Sequence, residues 1–303
     1  MRKIRKSILI VMLILFSSMV LFGCGSGNNS ADSTNGEQDT QKRPLRLLYV
    51  QWACASAETH IMAHILQDIM GYEVELMDVA AAAMYQGLAN SEGDAIFTAW
   101  LPLTHGEYME QVEGKVEDLG PHMEGAKIGL VVPDYVTIDS IEQLNEVKDK
   151  FSGRIIGIDS GAGIMKATNQ AIEGYNLEYE LIEGSEGTMI MSLKEAIDNN
   201  EWVAVTGWTP HWKFGRWDLK YLDDPKGVYG EAETINTVVR NGLKEEMPEV
   251  YELFDNFAWS PEDLSRAMVL AEDLGDPVAA AKQWVEENLE LVNSWLPEAY
   301  KNK

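Results

Sequence analysis

Three tryptophans of this chain share one sequence setting. Trp52 follows the apolar run Leu47-Leu48-Tyr49-Val50, Trp100 follows Ala95 to Ala99, and Trp208 follows Val203 to Gly207. Each stands where a short apolar run gives way to a polar loop. In open α/β sheets that is where strand ends face a ligand crevice. Indole faces carry negative potential and attract a cation at about 0.5–2 kcal/mol per contact, more as water is excluded. Three such faces around one point suit a trimethylammonium group, which is bulky, weakly hydrated and has no N–H to donate. The remaining tryptophans, Trp202, Trp212, Trp217, Trp259, Trp284 and Trp295, are expected to be packing residues.

Micromolar binding corresponds to about 8 kcal/mol, so a cation cage needs a second set of contacts. Asp159-Ser160-Gly161-Ala162-Gly163-Ile164 lies between an expected strand and an expected helix. Glycines there let the backbone approach a ligand, and the first amides of a helix favour an anion. His105, just beyond Trp100, offers a side-chain donor to a carboxylate. Cys54 is expected to be a buried, inert thiol rather than a nucleophile. His60 and His64 are one helical turn apart, but the glutamate of the His-Glu-x-x-His metal motif is missing, and helix-face packing is the expectation. No catalytic motif is found and no cofactor or metal is implied, so an enzyme is not expected. A sugar-stacking hydrolase or lectin remains the alternative of another class. A hydrolase needs two carboxylates at a set separation, and acidic residues are plentiful.

The elements that must hold these residues alternate between strand and helix. Strands are expected at Leu45–Val50, Glu73–Val79 and Asp94–Trp100, with helices at Ser56–Met70 and Ala80–Asn90 between them. A strand at Ile128–Val132 ends at Pro133. A second run follows: strand Arg154–Ile158, helix Gly163–Ile172, strand Leu177–Ile182, helix Ser185–Asn199, strand Trp202–Thr206. Thr234–Val239 is a further strand. Helices at Lys244–Phe254, Ser260–Leu274 and Pro277–Leu296 complete the chain. The pattern predicts an α/β fold with mostly parallel sheet and helices on its faces. It also predicts two lobes: residues 44–132 with 231–303, and an inserted lobe at 133–230. A cleft between lobes is a favoured ligand site.

The N-terminus reads as a processing segment. Arg2, Lys3, Arg5 and Lys6 precede the apolar run Ile8–Phe16, and Leu21-Phe22-Gly23 leads to Cys24. Residues 1–23 are expected to be a secretory signal. Residues 24–43, rich in Gly, Asn, Ser, Asp and Thr, cannot bury enough apolar surface to fold and are expected to be a tether. Of 303 residues, 24 are basic and 49 acidic; losing the four basic residues of the signal takes the formal charge from −25 to −29. That balance argues against nucleic-acid binding. Cys54 is the only cysteine after Cys24, which excludes a disulfide framework.

Several segments together resemble the glycine betaine/proline betaine substrate-binding proteins of ABC transporters. They are Ala99-Trp100-Leu101-Pro102-Leu103-Thr104-His105, Gly157 to Met165, Thr206-Gly207-Trp208-Thr209-Pro210-His211-Trp212, and Tyr221 to Lys226. The resemblance implies a two-lobed, hinge-closing periplasmic-binding-protein fold of type II. It implies that Trp52, Trp100 and Trp208 cage the ammonium, while the amides of Gly163 and Ile164 and the side chain of His105 hold the carboxylate. Leu21-Phe22-Gly23-Cys24 in turn resembles a bacterial lipobox, which implies acylation at Cys24; with the family resemblance it leads to the expectation of a monomeric lipoprotein on the outer face of the cell membrane, serving an ABC permease. Relatives often carry polar or acidic residues directly after the first cage tryptophan, where this chain has Ala53-Cys54-Ala55. Receptors for choline or carnitine share the fold and are the nearer alternative.

Overall fold

A computed structural model describes residues 43–301. The expected signal at 1–23, Cys24 and the expected tether up to residue 42 lie outside the described residues. Arg43, the last residue of that expected tether, is held by the buried carboxylate of Asp94 at 2.6 and 2.8 Å.

The first part of the chain builds β1 (Leu45–Tyr49), α1 (Ala53–His64), β2 (Val74–Asp78), α2 (Ala81–Ala89), β3 (Ala95–Leu101) and α3 (Gly106–Gln111). β1 pairs in parallel with both β2 and β3. Its residues Leu45, Leu47, Leu48 and Tyr49 are all buried, as a central parallel strand covered on both faces requires. α1 is rich in alanine, a strong helix former, and is buried nearly all round, packed against α9 and α10 as well as the sheet.

The longest strand, β4 (Val116–Pro133), runs through both parts of the sheet. Its first stretch pairs antiparallel with β9 (Glu233–Arg240), and its last stretch with β7 (Val205–Thr209) and β8 (Leu219–Tyr221). Between them come β5 (Arg154–Ile156), α4 (Gly163–Gly174), β6 (Glu180–Ile182), α5 (Glu186–Asp198) and α6 (Lys213–Arg216). The strand order is β2-β1-β3-β9-β4-β7-β5-β6, with β8 beside β4. The parallel ladders lie at the two ends of this order, where βαβ crossovers operate. The centre, formed by β9 and β4, is antiparallel to its neighbours. The sheet is therefore mixed, a departure from the mostly parallel expectation.

Five helices follow: α7 (Leu243–Glu246), α8 (Pro248–Asn256), α9 (Pro261–Leu274), α10 (Pro277–Glu287) and α11 (Leu289–Trp295). The single helix expected over Lys244–Phe254 breaks at Met247, because the residue before a proline is driven from helical geometry. The helix expected over Pro277–Leu296 divides at Asn288, whose backbone leaves the helical region. Two helix starts fall where expected. Ser185 and Ser260 each accept from the amide three residues on, and their own amides are bonded by Thr188 and Asp263 in return. Beneath these helices Trp259, Trp284 and Trp295 form a mutual cluster with ring centres 5.5–6.3 Å apart.

Candidate ligand-binding site

Trp52, Trp100 and Trp208 meet around one small cavity of about 30 Å³. Trp52 caps the start of α1, directly after β1. Trp100 and Trp208 are each the penultimate residue of their strands, β3 and β7. The sequence reading put Trp208 beyond a strand at Trp202–Thr206. That strand lies three residues later, because the antiparallel ladder with β4 pairs Trp208 with Ile128 and Val205 with Val131. Gly163, Ile164 and His105 line the same cavity. All six candidate residues are thus brought together, and the three indoles are each at least 94% buried.

Gly163 and Ile164 begin α4, so their amides cannot reach an intrahelical carbonyl. A methyl group at Gly163 would lie 1.9 Å from the Thr104 carbonyl oxygen. The glycine is therefore what lets the α4 start approach the loop after β3. That loop is fixed by the buried carboxylate of Glu233, which accepts from the Leu103 amide at 2.7 Å and the Thr104 amide at 2.8 Å, and from the Thr104 hydroxyl.

His105 ends the loop. Its ring stacks on Trp52, with centres 5.7 Å apart. Burial pushes its pKa down to about 4, partly offset by the Thr98 carbonyl, so the ring is neutral at pH 7. The Trp100 amide stands 3.1 Å from Nδ1 and the Thr98 carbonyl 3.0 Å from the same atom. A ring protonated at Nε2 accepts the first contact, and one protonated at Nδ1 makes the second. Nε2 is buried and has no hydrogen-bond partner among the described residues.

Residues not anticipated from sequence complete the walls: Thr104, Ile128, Ile158 and Ala162. Cys54 also lines the cavity, with its thiol pushed well above the usual range by burial and by the carboxylates of Glu58 and Glu186. None of the lining residues is a carboxylate, and three are tryptophans, so the walls offer a cation aromatic side chains rather than an ion pair. Asp159 acts from behind. It accepts the Trp52 indole N–H at 3.0 Å, which draws electron density into the ring. Its place in the Gly-Ala-Gly loop was visible in the sequence, its partner was not.

His60 and His64 do not converge on a shared ligand. His60 Nδ1, when it carries the proton, donates to the Ser56 carbonyl 2.7 Å away, and the ring meets Tyr49 edge-on. His64 pairs with Asp68 at 2.9 Å.

Comparison with known proteins matches residues 43–287 to the OpuAC family, described as the substrate binding domain of ABC-type glycine betaine transport systems. The chain belongs to this family. A glycine betaine/carnitine transport binding protein from Listeria monocytogenes is 44% identical over 162 residues, which is 52% of this chain and 54% of that relative. The match thus spans about half the length of that curated relative. Among solved structures, the glycine betaine/L-proline-binding protein of Borrelia burgdorferi is 39% identical. It is matched over 85% of this chain and 98% of its own, with a TM-score of 0.82. Lactococcal OpuAC, closed on glycine betaine, is 36% identical over 84% of this chain and 99% of its own, with a TM-score of 0.80. The type of fold expected from the sequence is the one these relatives have.

Proposed function

We propose that this chain captures glycine betaine, or a close trimethylammonium carboxylate, outside the cytoplasmic membrane and presents it to the permease of an ABC importer. The observation that carries this reading is the chemistry of one cavity. Three indoles line it without a carboxylate in its walls, beside the first amides of a helix, which have no intrahelical partner, and an imidazole nitrogen unpartnered among the described residues. A carboxylate would select the His105 tautomer with its proton on Nε2. Membership of a glycine betaine transport family supports the same conclusion.

In this reading Trp52, Trp100 and Trp208 surround the ammonium, and Gly163, Ile164 and His105 hold the carboxylate. The walls come from two parts of the chain, 44–132 with 231–303 and 133–230, which act as lobes. A ligand favours closure only through contacts made better in the closed state, and a split site supplies them. Acylation at Cys24 would keep a monomeric receptor beside its permease. No helix among the described residues is long and apolar enough to span a membrane.

Carnitine is a second reading, favoured by the name of the Listeria relative; it has the same two charged groups. Calorimetry with glycine betaine, proline betaine, carnitine and choline tests the proposal. Glycine betaine is expected to bind tightest. Choline lacks the carboxylate, leaves the helix-start amides and His105 unmatched, and is expected to bind at least about tenfold more weakly. Choline binding tighter than betaine would overturn the assignment.

A further inference from the structure

One buried charge beside the cavity has no role in the reading above. Lys213 opens α6 and is fully buried. Its Nζ stands 4.3 Å from the centre of the Trp208 ring and has no hydrogen-bond partner among the described residues. Trp208 lines the cavity and Lys213 does not, so the ammonium and a ligand cation would share this indole without sharing the cavity. A buried ammonium without acceptors is rare because its desolvation is uncompensated; here the ring face is its nearest attraction.

Other titratable groups surround it. Glu186, the first residue of α5, accepts from the Ala53 amide at 3.0 Å and lies 2.9 Å from His211 Nε2. Its negative charge favours the Lys213 ammonium, as does that of Cys54 on α1 if ionised. The Cys54 thiol is held protonated, in part by Glu58 one turn further along α1. His211 stays neutral at pH 7: burial, then Lys213 itself, push it down to about 4. Burial dominates at Lys213 and pushes it down to about 7.

A ring that already faces one cation has less negative potential to offer a second. We propose that Lys213 and a trimethylammonium ligand compete for the Trp208 ring, so that ligand capture expels a proton from Lys213. The N–H bond of the ammonium breaks, the amine keeps the electron pair, and the proton passes to solvent. Lys213 is thus a positioning residue that acts through Trp208 and makes the site sensitive to pH. The inference rests on the trimethylammonium reading of the cavity.

The sign follows from linkage. The ligand favours the uncharged amine, so affinity is highest above the lysine's own pKa and falls as the pH drops through it, by at most about tenfold per pH unit. A ligand carboxylate titrates far below this range and does not contribute.

Calorimetry on the full chain with glycine betaine, at pH 7 in two buffers of different ionisation heat, counts the protons released. A fraction of a proton per ligand is expected. Affinity is expected to fall about three- to tenfold between pH 8.5 and pH 6. Lys213→Met should abolish both effects and bind at pH 6 as the unaltered protein binds at pH 8.5. Lys213→Leu provides a second uncharged substitution should the first fail to fold. No proton release from the unaltered protein, or an undiminished pH profile in the uncharged variants, would overturn the role of Lys213 while leaving the betaine assignment intact. Absence of betaine binding at every pH would instead remove the assignment itself, and this inference with it.

Discussion

Two trios of tryptophan in this molecule are both buried and are packed differently. Trp259, Trp284 and Trp295 touch one another ring against ring and fill their own space under the C-terminal helices. Trp52, Trp100 and Trp208 are buried as well, but two of them stand against histidines. Trp52 stacks on His105, Trp208 meets His211 edge-on at 5.0 Å, and the hollow between the three indoles is the cavity. Burial alone does not separate a structural aromatic from a receptor aromatic. What separates them is whether the ring face is covered by protein or held open by a frame such as Glu233 and its loop.

The comparison breaks down first if the core trio is not the stabilising one. Trp284→Ala is expected to lose about 3–5 kcal/mol of stability in denaturant melts, with betaine affinity unchanged in whatever fraction stays folded. Trp100→Ala should show the reverse: a loss of about 30-fold or more in affinity by calorimetry, with a smaller effect on the melt. Equal stability losses in the two variants would dissolve the distinction. Gly163→Ala sharpens it without touching an aromatic. Its methyl forces the α4 start away from Thr104, and about a tenfold loss of affinity is expected while secondary structure by circular dichroism is kept.

The finest test uses pH. His105 beside the cage and His122 against Phe257 in the core are pushed down to about 4 and about 3 by burial. The unfolded chain, with ordinary histidines, binds more protons, so stability is present above pH 6.5 and drains as the pH falls toward the folded values. Each contributes a slope of about 1.4 kcal/mol per pH unit. Glu58, whose carboxyl burial pushes upward, works in the opposite sense. His105→Gln should flatten the melt profile between pH 6.5 and 4.5; an unchanged slope would mean that this ring is already charged in the fold.

Much of the site was legible because it was written in residue types with few other uses. A tryptophan at a strand end and a Gly-Ala-Gly turn before a helix are uncommon features, and Trp52, Trp100, Trp208 and Gly163 all converge. Glu233 and Asp159 were not singled out, since nothing in a chain with 49 acidic residues marks the two that brace the cavity. In the fold, hydrophobic periodicity found β1, β3, α4 and α5 within a few residues. It missed the first half of β4, where Gly120, Pro121 and Gly125 read as breakers. That stretch is a strand because β9 pairs with it across three register shifts, a tertiary cause that no local pattern carries. The antiparallel centre of the sheet was missed for the same reason.

The hydrogen bond from Trp52 to Asp159 joins residues 107 positions apart, and Gly163 meets Thr104 across a further long span of the chain. A chain this far from completing its long-range pairings has no pocket at all, since neither end owns a whole one. Solute in the medium can therefore reward only finished molecules. It stabilises the native state by mass action, increasingly as its concentration exceeds the dissociation constant, and does nothing for intermediates. A medium rich in such a solute would thereby lengthen the working life of the receptor that collects it.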